Sequence, residues 1–223
     1  ALMINPPVRL YSSISLLDRM VENIPGGLDN FNRFFKQLVQ GLTQVYKNAT
    51  GVDLSEDTLY KAYQALQLKD EELAALIGVS FRIASSNMAF TSDVMNDFGF
   101  IKPKNLYLTS NTSLDRYNAV GVRLGFTDYF HEYFYPYWRQ QDPQATIQDL
   151  VQQMSLAAIE DYLKNSDKIE VMHNENDLIL EQGEIDFIRR VFGERARIYP
   201  VGGHLGNMAY KDNVAHMISI FKE

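Results

Sequence analysis

From Lys168 onward the chain alternates strand and helix, and both of its strands run into loops rich in reactive side chains. Lys168-Ile169-Glu170-Val171-Met172 reads as a strand and leads into the polar loop His173-Asn174-Glu175-Asn176-Asp177. Gly183 to Phe192 follows, with Ile185, Ile188 and Val191 spaced for one helical face. Arg197-Ile198-Tyr199-Pro200-Val201 reads as a second strand and enters Gly202-Gly203-His204. The segment from Asn213 to Phe221 then returns to a helical period through Val214, Met217, Ile218 and Phe221. A β-α-β-α order builds parallel strands joined by right-handed crossovers, so the expected fold class is α/β.

In an open α/β sheet, ligands bind outside the carboxyl ends of the strands. Asp177 and His204 each lie a few residues past such an end, on strands expected to be neighbours. Loops from adjacent strands can bring an aspartate to Nδ1 of a histidine, which orients the imidazole and leaves Nε2 to act on a nucleophile. Gly202 and Gly203 suit a tight turn that projects His204 over the sheet edge. The rival acids are Glu175, too early in its loop, and Asp186, expected on a helix. His173, Glu175 and Asp177 alternate but do not converge as metal ligands without a second cluster, so no metal is expected. His131-Glu132 lacks the second histidine of a zinc-protease helix, and His216 falls on the last helix.

The opening Ala1-Leu2-Met3-Ile4-Asn5 reads as a strand apolar on both faces, stopped by Pro6-Pro7, which cannot donate to a ladder. Such a strand needs neighbours on both sides. From Val8 to about Gln144 the character is helical. Helices are expected from Ser15 to Pro25 and from Leu28 to Tyr46, the latter with Phe31, Phe34, Phe35 and Val39 on one face. Another is capped by Ser55 and carries Leu59, Tyr60, Tyr63 and Leu66, and a further one starts at Asp70-Glu71-Glu72. Asn96 to Leu108 reads as a loop, Leu114 to Val122 as a helix, and Thr146 to Asn165 as one continuous helix. The densest aromatic stretch includes Phe126, Tyr129, Phe130, Tyr133 and Phe134. These five either pack a helical cap on the core, wall an acyl or other apolar substrate pocket, or form a surface that meets lipid.

Three segments together resemble the α/β-hydrolase fold. V-M-H-N-E-N-D-L-I-L resembles its acid-bearing loop, with Asn174 where glycine is common. Y-P-V-G-G-H-L-G-N resembles its catalytic-histidine loop, and A-L-M-I-N-P-P-V looks like the strand after its nucleophile helix. The resemblance implies a partial α/β-hydrolase core with parallel strands near 1–5, 168–172 and 197–201. It implies a core strand over 1–7, a large helical cap over 8–145, and the carboxyl-terminal part of the core over 146–223. It further implies a serine hydrolase of esterase or lipase type, acting on an ester, thioester or related acyl bond. Asp177 and His204 would be two members of its triad and an apolar acyl group its substrate, with no cofactor. No G-x-S-x-G occurs. None of Ser80, Ser85, Ser86 and Ser110 stands between glycines at a strand-to-helix turn. The nucleophile and oxyanion donors are therefore expected on an N-terminal hydrolase segment outside these residues, in the same polypeptide or a separate one.

Composition narrows the alternatives. A formal net charge of −7 argues against nucleic acid, which demands a basic surface. The chain has no cysteine, which removes disulfides, a thiol nucleophile and cysteine-ligated metals. No run approaches the ~18 consecutive apolar residues of a transmembrane helix. Two other readings remain: a non-catalytic binder of apolar ligands on a hydrolase-like scaffold, and a mostly helical interaction protein without parallel strands near 168–201.

Overall fold

The computed structural model describes residues 1–48 and 69–221, the side chains of residues 38, 42 and 44–48 excepted. The expected helix carrying Leu59, Tyr60, Tyr63 and Leu66 lies outside the described residues. The chain forms two compact units, Ala1–Leu16 with Tyr137–Glu223, and Leu17–Pro136.

The first unit holds a three-stranded, wholly parallel sheet in the order β1 (Leu2–Ile4), β2 (Glu170–Asn174), β3 (Ala196–Tyr199). Its class is α/β, and the parallel strands exclude a purely helical protein. The register sets Ile4 opposite Met172, and Asn174 opposite Tyr199. β2 is central, and Val171 to Asn174 are all buried. It ends two residues later than the apolar run suggests. The ladder to β3 continues through His173 and Asn174 because both polar side chains find partners inside the unit. β3 stops before Pro200, as a residue without an N–H requires.

One face of the sheet is covered by helix Glu184–Phe192, whose Ile188, Val191 and Phe192 close on Val171, Val8 and Leu163. Val8 belongs to this core at 1% exposure. Residues 8–16 thus go with the sheet rather than with a cap, and so do residues 137–145. The reason is a short antiparallel contact. Leu156 N–H donates to Val8 O at 2.8 Å, and Leu10 N–H donates to Met154 O at 3.2 Å. That contact also splits the expected helix 146–165 into Ile147–Gln153, a 3-10 turn Leu156–Ile159 and Glu160–Asn165. Ser155 makes the break by accepting from Ala157 N–H while donating to Val8 O.

The second unit is built on the long helix Asp70–Asn96, which runs on from the expected start at Asp70-Glu71-Glu72. Ala75, Val79, Arg82, Ser86, Ala89 and Asp93 recur every three or four residues along its buried stripe. Val21, Ile24, Phe31 and Phe34 pack on its first half. Phe35 and Val39, expected on that face, stay exposed at 40% and 44%. Gly78 is required by the close approach of the turn Met20–Asn23, because a Cβ would sit 2.5 Å from Val21 N. By length and composition alone this helix is apolar enough to cross a membrane. Its buried stripe nevertheless includes two charges with partners in the same unit. Arg82 donates from Nε and Nη2 to Asp18 Oδ1 at 3.1 and 2.7 Å. Asp93 accepts four backbone N–H groups, from Gly99, Phe100, Ile101 and Lys102, at 2.8–3.1 Å.

Candidate active site

At the carboxyl ends of the three strands, side chains from all three meet. Asp177 follows β2 by three residues and is 6% exposed. The backbone turns there as its N–H donates to Asn174 O at 3.2 Å. Its two oxygens divide the work. Oδ1 accepts from Ile179 N–H at 3.1 Å, and Oδ2 faces His204 Nδ1 at 3.1 Å and accepts from Asn5 Nδ2 at 2.7 Å. Burial alone pushes this carboxyl up. The hydrogen bonds from His204, Ile179 and Asn5 outweigh it and hold the group below the ordinary carboxylate value. An ionised Asp177 opposite Nδ1 places the proton of a neutral His204 on Nδ1. Nε2 then keeps its lone pair, and among the described residues none hydrogen-bonds to it. The His204 side chain is 35% exposed.

The His204 loop is locked by asparagines. Asn174 and Asn207 pair reciprocally, Nδ2 of Asn207 donating to Asn174 Oδ1 at 2.7 Å and Nδ2 of Asn174 to Asn207 Oδ1 at 3.1 Å. Asn174 Nδ2 also reaches Gly203 O at 2.8 Å, and Gly203 N–H donates to Asn176 Oδ1 at 2.8 Å. Asn213 Nδ2, on helix Lys211–Ile220, donates to Asn207 O at 2.7 Å. Gly202 is the position where no other residue fits. At φ +154° a Cβ would lie 2.5 Å from Asn207 Cγ and 2.6 Å from Asn174 Cγ. Gly203 at φ +56° and Leu205 at φ +65° complete a turn that presents the imidazole.

His173 is fully buried and plays a different part from His204. Its Nδ1 accepts from Asn174 N–H at 2.9 Å, so Nε2 carries the proton and donates to Pro6 O at 3.1 Å. With Nδ1 accepting from that N–H, its 3.8 Å approach to Asp177 Oδ2 is not an ion pair. The rival acids lie apart from the site, Glu175 and Asp186 both pairing with Arg189. Among the described residues no group of three His, Asp or Glu side chains is placed to hold a metal.

The five aromatics named from sequence belong to the other unit. Phe126 lies on helix Phe126–Tyr129, and Phe130, Tyr133 and Phe134 on the π-helical turn Phe130–Phe134. They meet one another and their neighbours. Tyr133 packs on Phe98, Phe100 and Tyr129 at 5.2, 4.9 and 5.5 Å, and Phe130 on Phe134 at 5.5 Å. Phe130 and Tyr133 are buried, and burial, then Asp93 and Glu132, push the Tyr133 phenol well above its ordinary value. Cavities of about 360 and 300 Å³ in the same unit, the first beside Phe31 and Ser86 and the second beside Asp97 and Tyr107, are lined by other residues.

Sequence reasoning missed Asn5, Asn176 and Asn213, and saw Asn174 only as a substituted glycine. One signal was present: Asn5 is the polar residue that closes an apolar strand run. Comparison with protein-family models, curated proteins and solved structures finds no match.

Proposed function

We propose that this chain is the carboxyl-terminal part of an α/β-hydrolase-fold serine hydrolase and supplies the aspartate and histidine of its triad. The observation that carries this reading is the 3.1 Å contact between Asp177 Oδ2 and His204 Nδ1, on loops after neighbouring parallel strands. A buried ionised acid, a half-exposed imidazole and a free Nε2 are the parts a general base needs. The order of strands supports it as well, with the acid loop following the central strand and the histidine loop the outer one.

In this mechanism a serine hydroxyl from a hydrolase segment outside these residues attacks the acyl carbon of an ester or thioester. His204 Nε2 takes the hydroxyl proton as the Oγ–C bond forms, and Asp177 stabilises the imidazolium. Collapse of the tetrahedral intermediate breaks the bond to the leaving group, which receives that proton from Nε2. Water, deprotonated by Nε2, then attacks the acyl carbon, and the Oγ–C bond breaks as Nε2 returns that proton to the serine oxygen, releasing the acid. Backbone N–H groups of the same outside segment stabilise the oxyanion. An apolar acyl chain is the proposed substrate, and the acidic net charge disfavours a nucleic-acid partner.

The test is denaturing mass spectrometry of the protein from its native source, before and after a fluorophosphonate probe, beside a His204→Ala version. The reading expects one probe mass on a serine of the polypeptide that contains or accompanies this chain, and loss of labelling in the variant. Labelling that is absent, or indifferent to His204, overturns it and leaves the non-catalytic binding protein.

A further inference from the structure

We infer that Asn5 is a positioning residue of the Asp177–His204 pair, the group that holds the acid and the histidine loop in one fixed relation; this rests on the hydrolase reading. Asn5 ends β1, 172 residues from Asp177 in sequence, and is 3% exposed. Its single amide nitrogen donates to Asp177 Oδ2 at 2.7 Å and to Gly203 O at 3.3 Å. One NH₂ group thereby touches the acid and the residue next to His204. Its Oδ1 in turn faces Asn174 Nδ2 at 3.5 Å, within the lattice that holds the loop.

The backbone of Asn5 is also committed. It sits at φ +46°, left-handed, while its N–H donates to Met172 O at 2.8 Å. A non-glycine residue there carries a conformational cost, and glycine would remove it. Asparagine therefore occupies a position where backbone preference favours glycine, and what it adds is the amide. The geometry explains the use of that amide. His204 Nδ1 and Asn5 Nδ2 share the same oxygen, so Asn5 fixes the direction from which Oδ2 meets the imidazole. A neutral donor does this without competing as a second acid beside Asp177.

A merely structural role, closing β1 before Pro6-Pro7, predicts a different outcome, and two variants separate the two. Asn5→Gly keeps the left-handed backbone and deletes the side chain with its amide. Asn5→Asp keeps the size but sets a second carboxyl against Asp177, and like charges at that distance raise one of the two acids. The readout is the His204 ring in nitrogen-15 NMR of the protein that contains or accompanies this chain in its native source, assigned by His204→Gln and followed with pH. The parent is expected to show a protected Nδ1 proton that depends on Asp177.

In Asn5→Gly, with thermal unfolding no lower than the parent's, that proton is expected to exchange at least tenfold faster. In Asn5→Asp it is expected to be lost at a pH at least one unit higher than in the parent. An unchanged proton in a folded Asn5→Gly overturns the proposal. Should that variant not fold, an unchanged acid limb in Asn5→Asp overturns it. A parent without a protected Nδ1 proton refutes the Asp177–His204 pairing itself, and the role of Asn5 with it. A protected parent proton that Asn5→Gly leaves untouched refutes Asn5 alone.

Discussion

Asp177→Asn is the sharpest test of the site, because the two amide atoms cannot serve three donors. Oδ1 accepts from Ile179 N–H, while Oδ2 meets Asn5 Nδ2 and His204 Nδ1. With its oxygen toward Asn5 and His204, the asparagine turns its NH₂ against Ile179 N–H and leaves one buried backbone donor unpaired. Turned the other way, its NH₂ faces Asn5, and His204 can respond only by moving its proton to Nε2. An unpaired buried donor costs about 1–3 kcal/mol, so the loss expected at pH 7 is about 2 kcal/mol.

Urea unfolding followed by the single tryptophan measures it, since Trp138 lies in the same unit as Asp177. The pH dependence adds a sign. The Asp177 pKa is depressed in the folded protein, so its contribution is complete above the unfolded carboxylate value. It is lost as pH falls through the lower folded value. The gap between parent and variant is therefore expected to close below about pH 4, near the unfolded aspartate pKa. A gap under about 0.5 kcal/mol at pH 7, well short of one orphaned donor, refutes the assigned geometry. So does a gap that does not change with pH.

Two further changes probe one buried acid in each unit. Asp93→Ala removes the acceptor of four backbone N–H groups, of which those of Ile101 and Lys102 are buried. Two orphaned buried donors predict a loss of about 2–6 kcal/mol, read as proteolytic nicking within 98–108, and a variant as resistant as the parent contradicts it. Glu184, 1% exposed, is held above its ordinary value by burial, which outweighs Glu181 N–H and Arg9, 3.5 Å away. A raised acid leaves stability complete below the unfolded pKa and erodes it as pH rises through the folded one. Glu184→Gln is thus expected to melt above the parent at pH 8 and to lose that advantage at pH 4, and a parent more stable at pH 8 refutes the sign.

The local pattern of the chain determined the α/β class, the order of strands and helices, and the placement of Asp177 and His204 after strand ends. Each depends on neighbours a few residues away, which periodicity and turn chemistry report directly. Tertiary structure decided the rest. Whether β2 ended at Met172 or Asn174 depended on partners for two polar side chains, supplied by Pro6 and by the 203–207 turn. Whether 146–165 stayed one helix depended on Val8–Leu10 lying beside Ser155. In sequence Asn5 reads only as the end of a strand, Asn176 as a loop residue and Asn213 as the start of a helix, and none of these readings gives it a partner. Only the parallel register of β1 on β2 brings Asn5 against an aspartate 172 residues away, and no local pattern encodes a hydrogen bond across that distance.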